Sequence, residues 1–481
     1  MTQSKDPNFE QHLENTTSSS QPPPQAFLEM AREHPEWSSL EAMAAFRADV
    51  PSVVKTVSGL PKNMAHPLQP WPTWIGPAQQ REFQRVSLAL ARLFRSVPQR
   101  VFGGDAAKIA DFLGMGDPLM VTLLLAEPNF LEQTICRGDF IETAGGLKLV
   151  EFNIGNLGGW QHSAFESLYL RQPWVSQYLG QTGWTAACRN SIRALFRHVI
   201  GHTLRTPLGT ESAINLLIVA SDDGLSSVDS HPVQVYEQEF ARQLRNLAPE
   251  KTGRVLVRRV SDLEFEKGQL HASGERAHAV VEQNDTRPSS AIFRCFKAGL
   301  VNCYTSPLGM ILGDKKLLAL LSSLQESDLF DKEEQRLLRD HLPWTRKISH
   351  EPLSFRGQEG SAIDVLKNHR TSLVLKAGAG YGGADVHIGP VTSPDKWEEV
   401  AQEAVRSSGW VAQEYLEGIP HRYPSRDGGE PVPYDVAWGL YVFGEEYGGT
   451  FLRMAPQGES PVLNIAQGAQ IGLGLEVTGG E

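Results

Sequence analysis

A mixed α/β (α+β) fold is what this sequence predicts, and three observations predict it. The run from Ile214 to Val260 places an apolar stretch (INLLIVAS), a helix near Val233 to Leu247 and a second apolar stretch (RVLVRRV) in succession, which is a β-α-β unit. Upstream, GDFIET and LKLVEFN flank Ala144-Gly145-Gly146, the pattern of a tight β-hairpin. Beyond residue 370 the chain returns to strands: LVLKAG, ADVHIG, GWVAQEYLE, AWGLYVFG and TFLRMA. At 481 residues the chain exceeds what one compact domain usually fills, so several lobes around a shared cleft are expected.

In chain order, residues 1–25 are polar and rich in Ser, Gln and Pro, cannot repay ordering by burial, and read as a disordered tail. Residues 26–135 read as a helical N-terminal or lid region. In it PAQQREFQRVSLALARLF sets Phe83, Val86, Leu88, Leu90, Leu93 and Phe94 on a period near 3.6. Residues 136–205 carry the hairpin and then helices, among them a long one around Ala186 to Thr203. The α/β lobe spans 206–300 and includes SSAIFRCF as a strand; residues 301–481 open on the helices DKKLLALLSSL and KEEQRLLRDHL before the strand-rich end.

Composition narrows the function. The chain has 45 Lys and Arg against 56 Asp and Glu, a net charge of −11, and no basic cluster, which argues against nucleic-acid partners and for small-molecule chemistry. Cys136, Cys188, Cys295 and Cys303 form no CxxC pair, and the chain opens on no signal-like segment, so a reducing cytoplasm is expected. No apolar run approaches a membrane span. A homodimer is left open.

Two segments carry chemistry. In LVLKAGAGYGGADVHIG, Lys376 ends an apolar strand, Gly378, Gly380, Tyr381, Gly382 and Gly383 follow, and a second strand comes next. Glycines let backbone N–H groups approach an anion and the lysine adds a point charge, so this reads as a phosphate-covering hairpin. It is neither a Rossmann fingerprint nor a P-loop, because a strand follows the glycines and the lysine precedes them. In RGDFIETAGGLKLVEFN, Glu151 and Asn153 share a strand face, and the turn folds Asp139 back beside them with Arg137 adjacent. Two carboxylates and an amide oxygen suit Mg²⁺ shared with nucleotide phosphates.

Together these segments resemble the ATP-grasp superfamily. The metal strand pair precedes the glycine loop, with Glu151 far upstream of Lys376, an order that resembles the circularly permuted subgroup: glutathione synthetase of the eukaryotic type, glutathionylspermidine synthase and bacterial permuted ATP-grasp proteins. EFNIGNLGGW looks like the subgroup's metal strand. The resemblance implies that Lys315, or its neighbour Lys316, in GDKKLLALLSS is a second phosphate-binding lysine, that Gln413, Glu414, Tyr415 and Leu416 border adenine, and that Arg453 meets a substrate carboxylate. It departs at Gly380, where permuted glutathione synthetases look to have a metal-binding Glu, and at Ala377, where a Pro is typical.

The resemblance further implies an ADP-forming carboxylate–amine ligase that uses ATP and Mg²⁺, acts on small-molecule or peptide carboxylates and amines through an acylphosphate, and uses Arg137 on the oxyanion. A phosphotransferase on the same scaffold and a nucleotide-binding protein that has lost turnover are the alternatives. His162, Ser221 to Gly224, Trp71, Trp74 and Trp160 read more simply as packing or turn residues, while Arg294 and Arg346 read equally as partners of a phosphate or substrate carboxylate and as structural ion-pair residues.

Overall fold

The computed structural model describes residues 23–56, 68–126, 132–155, 157–220, 234–266, 268–283, 290–305, 309–378, 385–407, 409–425, 429–460 and 462–479. Helices and sheets alternate along it, and the predicted mixed α/β architecture is what the chain adopts. Among the described residues no helix is long and apolar enough to cross a membrane.

Six strands form the central sheet, all antiparallel. The early hairpin, Ile135–Thr143 with Gly146–Ile154, lies at one edge. Its first strand pairs with Val432–Phe443, which pairs in turn with Glu446–Pro456, and Gln470–Gly472 closes the far edge. His421–Tyr423 adds a short arm. The segment boundaries expected at 205 and 301 therefore divide a single sheet: hairpin and C-terminal ribbon are about 300 residues apart in sequence and hydrogen-bonded in space. Apolar side chains drive this, since Phe140, Leu149, Trp438, Leu440 and Leu452 alternate onto one buried face. The amphipathic helix Pro77–Arg100 covers it with Phe83, Val86, Leu90, Leu93 and Phe94.

A second sheet, antiparallel in the order Thr345–Lys347, Trp410–Glu414, Leu373–Ala377, Val386–Ile388, carries Lys376. Its apolar residues pack on Pro394–Ser407 through Trp397, Val400 and Ala401. The β-α-β unit lies in a parallel sheet ordered Asn302–Cys303, Ala279–Gln283, Leu216–Ala220, Val255–Arg259. Its outermost strand passes the expected boundary at residue 300.

Three expectations change. The segment SSAIFRCF, read as a strand, is helical over Ser290–Lys297, because Ile292, Cys295 and Phe296 sit three and four residues apart on one buried face while Arg294 is exposed. The helix expected from Ala186 begins at Ser191, since Trp184–Ala187 pairs with Gly474–Gly479 and Asn190 caps the helix by accepting the Arg193 N–H at 2.8 Å. Pro23–Glu33 is helical, so residues 23–25 leave the expected tail; residues 1–22 lie outside the described residues.

Candidate active site on the early hairpin

The turn of the hairpin is two residues, with Gly146 at φ 90°, a conformation glycine adopts without strain. From it the register puts Arg137 opposite Asn153 and Asp139 opposite Glu151. Between Asp139 and Phe140 the register slips: Phe140 faces Leu149, so Val150 is the extra residue of a β-bulge. Its carbonyl therefore leaves the ladder and accepts a hydrogen bond from Lys376 Nζ at 2.9 Å. A residue more than two hundred positions downstream is thus seated on the strand that carries Glu151 and Asn153.

Lys376 is buried. Its ammonium also donates to Gln413 Oε1 at 2.6 Å, and Gln413 in turn donates from Nε2 to Thr345 Oγ1 at 3.2 Å. Burial pushes the ammonium down to about 8; Glu151 pulls the other way, and Lys315 adds to the depression. Lys315 reaches the hairpin from the helix Lys315–Ser323, with Nζ 3.1 Å from Glu151 Oε1. Lys316, one residue on, turns away. Its ammonium donates to the Leu113 carbonyl and lies 3.4 Å from Asp314, the residue that caps the helix. Of the two neighbouring lysines, Lys315 is the one at the hairpin.

Arg137 forks onto Asp139, with Nε to Oδ1 at 2.7 Å and Nη2 to Oδ2 at 3.0 Å, and donates from Nη1 to the Gly158 carbonyl at 3.0 Å. Asp139 Oδ2 also receives Asn153 Nδ2 at 3.0 Å and Arg453 Nη2 at 2.8 Å. Burial alone would raise the Asp139 carboxyl; the Arg137 and Arg453 guanidinium groups outweigh it and hold the carboxyl below its usual range. Arg453 stands two strands away from Asp139, and the strand between carries Gly439 opposite Asp139. A Cβ there would lie 2.8 Å from Arg137 Cδ and 3.0 Å from the Phe451 carbonyl, so only glycine lets the charges meet across the strand. Both guanidinium groups lie over the Phe451 ring, at 5.3 Å for Arg137 and 5.8 Å for Arg453.

Gly378 spends its N–H on the Gly409 carbonyl at 2.8 Å and its own carbonyl on the Lys315 N–H at 3.1 Å. A Cβ on it would lie 3.0 Å from Asp314 Oδ1, so its glycine serves close packing against the capped helix end. Gly380, Tyr381, Gly382 and Gly383 lie outside the described residues. Gln413 turns its side chain to Lys376. Glu414 pairs with Arg356 at 2.9 Å and donates its N–H to the Trp344 carbonyl at 2.8 Å, and the Tyr415 N–H goes to the Ser372 carbonyl at 2.8 Å. Leu416 follows, partly exposed. His162 is buried, stacked on Phe451 with its Nδ1 2.7 Å from the Gly159 carbonyl, a packing role.

The donor chemistry at the hairpin fits a hard divalent cation at Glu151, whose carboxylate is partly exposed, and at the Asn153 amide oxygen, which is left over once Nδ2 has gone to Asp139. Among the described residues no cluster of three His, Cys, Asp or Glu side chains gathers to hold a metal.

No protein-family model matches the chain, and no curated protein matches it in sequence. Solved structures similar to it include a proposed gamma-glutamylcysteine synthetase from Methylobacillus flagellatus KT, with 10% identity, 80% of this chain and 87% of that chain covered, and a TM-score of 0.39. They also include D-alanyl-alanine synthetase A from Vibrio cholerae O1 biovar eltor str. N16961, with 15% identity, 52% and 69% covered, and a TM-score of 0.27. Scores this low lend nothing to the assignment of the site, which rests on its own geometry.

Proposed function

We propose that the chain is an ATP-dependent carboxylate–amine ligase of the circularly permuted ATP-grasp type, ADP-forming and acting through an acylphosphate. One observation carries the reading: Lys376 and Lys315, from two distant segments, converge on the Val150 carbonyl and the Glu151 carboxylate of the early hairpin. Two lysines beside one carboxylate and one amide oxygen make a mixed-charge shelf of the kind a magnesium–polyphosphate needs.

In this reading Lys315 and Lys376 hold phosphate oxygens, Glu151 and Asn153 would hold Mg²⁺, and the segment Gln413 to Leu416 borders the purine. Magnesium would supply charge neutralisation on the transferring phosphoryl group. The substrate carboxylate oxygen attacks the γ-phosphorus and ADP departs; an amine nitrogen then attacks the acyl carbon and inorganic phosphate leaves. Arg137 and Arg453 stabilise the oxyanion and the substrate carboxylate with preorganised guanidinium N–H groups. Positioning and exclusion of water do most of the work, with no covalent intermediate on a side chain.

The test is to incubate the protein with MgATP and pooled amino acids, peptides and polyamines, following ADP and searching for a condensation mass. Transfer of ¹⁸O from a labelled carboxylate into phosphate supports the ligase. A stable phosphoester product would replace it with a phosphotransferase, and ATP binding without stimulated ADP release with a nucleotide-binding protein.

A further inference from the structure

The sequence places Asp139 among three oxygen ligands for one cation. We propose instead that Asp139 is a positioning residue: it holds Arg137 and Arg453 side by side as a paired-guanidinium site for a substrate oxyanion, and the cation is left to Glu151 and Asn153. This deepens the ligase reading, and only the identity of the oxyanion rests on it.

The hydrogen-bond inventory of one carboxylate carries the inference. Asp139 Oδ2 receives Arg137 Nη2, Asn153 Nδ2 and Arg453 Nη2 at 3.0, 3.0 and 2.8 Å, and Oδ1 receives Arg137 Nε at 2.7 Å. Three donors already meet Oδ2, which has two lone pairs, and a cation needs a lone pair to itself at close range. The Asp139 side chain is 2% exposed, so the donors around it, and not water, satisfy the carboxylate. Two guanidinium groups against one carboxylate leave the unit net positive, a setting that attracts an anion.

The rest of the face is built to keep this arrangement. Gly439 clears the strand between Asp139 and Arg453, Phe451 lies under both guanidinium groups, and the Gly158 carbonyl takes Arg137 Nη1 while also accepting the Tyr441 hydroxyl at 2.6 Å. Arg453 Nε is buried without a hydrogen-bond partner, an unused donor on the unit. Glu151, directly opposite Asp139 in the hairpin, is by contrast partly exposed and beside Lys315, where polyphosphate and cation would arrive together.

Two readouts test this without requiring turnover. First, ATP affinity is titrated against Mg²⁺ by calorimetry for the wild type, Asp139→Asn and Glu151→Gln. Asp139→Asn should leave the half-saturating Mg²⁺ within twofold of wild type, and Glu151→Gln should raise it tenfold or more; an equal rise in both would make Asp139 a cation ligand and overturn the proposal. Second, the rates at which phenylglyoxal modifies Arg137 and Arg453 are followed by peptide mass. Asp139→Asn should speed both together, at least tenfold, and Glu151→Gln should change neither; unchanged rates in Asp139→Asn would overturn it. Should Asp139→Asn fail to fold, wild type alone decides: saturating Mg²⁺ leaves both arginines as protected as before if Asp139 stays on them, and exposes both if the carboxylate moves to the metal. Failure of ATP to bind at all would sink the ligase reading, while the arginine rates would still decide the role of Asp139.

Discussion

Two charged regions share one hairpin, and they are built on opposite terms. On the Arg137–Asp139–Arg453 face, the carboxylate accepts four hydrogen bonds from fixed donors. On the Lys315–Lys376–Glu151 shelf, the partly exposed Glu151 carboxylate pairs with Lys315, while the Lys376 ammonium donates to two neutral groups, the Val150 carbonyl and the Gln413 amide. A carbonyl and an amide satisfy an ammonium's hydrogen bonds but not its charge, which is why burial brings its titration down to about 8. The difference teaches that the arginine face is preassembled around its own carboxylate, whereas the Lys376 ammonium, held by a carbonyl and an amide, is poised to gain a counter-charge when an anion arrives.

That comparison can be broken or sharpened by experiment. The largest effect belongs to Lys376→Met, which removes the buried ammonium proposed to hold phosphate; ADP formation should fall about 100-fold or more while the melting temperature holds or rises. Unchanged turnover would remove the lysine from the site. Next comes Gly439→Ala, whose Cβ would meet Arg137 Cδ at 2.8 Å; it should cost about 1–3 kcal/mol of stability and disrupt the arginine pair, read by chemical denaturation with arginine modification. A neutral result would mean that the central strand yields.

The pH dependence follows in size. If nucleotide binds as proposed it prefers the protonated Lys376, so affinity should fall as pH rises through about 8, by up to about tenfold per unit, and binding at pH 8–9 should take up a proton, seen as buffer-dependent calorimetric heats. In the free protein the sign is opposite. The unfolded chain, with an ordinary lysine, binds more protons between about 8 and the ordinary 10.5, so this group makes stability rise with pH across that window. Lys376→Met should abolish both slopes. Smallest is Lys367→Ala on the exposed pair with Glu398, where less than about 1 kcal/mol is expected and activity should not change, a control for surface charge.

The hairpin, the lysine strand and the β-α-β unit were legible because each is a local pattern: period-two alternation, a two-residue turn, and a strand–helix–strand run. The Val150 bulge was not. It is a register slip between two strands, and nothing in LKLVEFN marks which carbonyl leaves the ladder. That the Gln413 side chain anchors Lys376 was not legible either, because it depends on pairing between Trp410–Glu414 and Leu373–Ala377. Gly439 did leave a trace: a glycine inside AWGLYVF, an otherwise apolar strand, signals close approach, although which groups approach depends on three strands aligning. The choice between Lys315 and Lys316 likewise needed the helix to be set against both Leu113 and the hairpin.

Hydrogen exchange with and without MgATP tests the central claim most directly, followed at residues 146–154 and 373–378 in the same sample. A nucleotide bound between the hairpin and the lysine strand should slow exchange in both segments together, with the same concentration dependence. Protection of one without the other, or of neither at saturating MgATP, would contradict it.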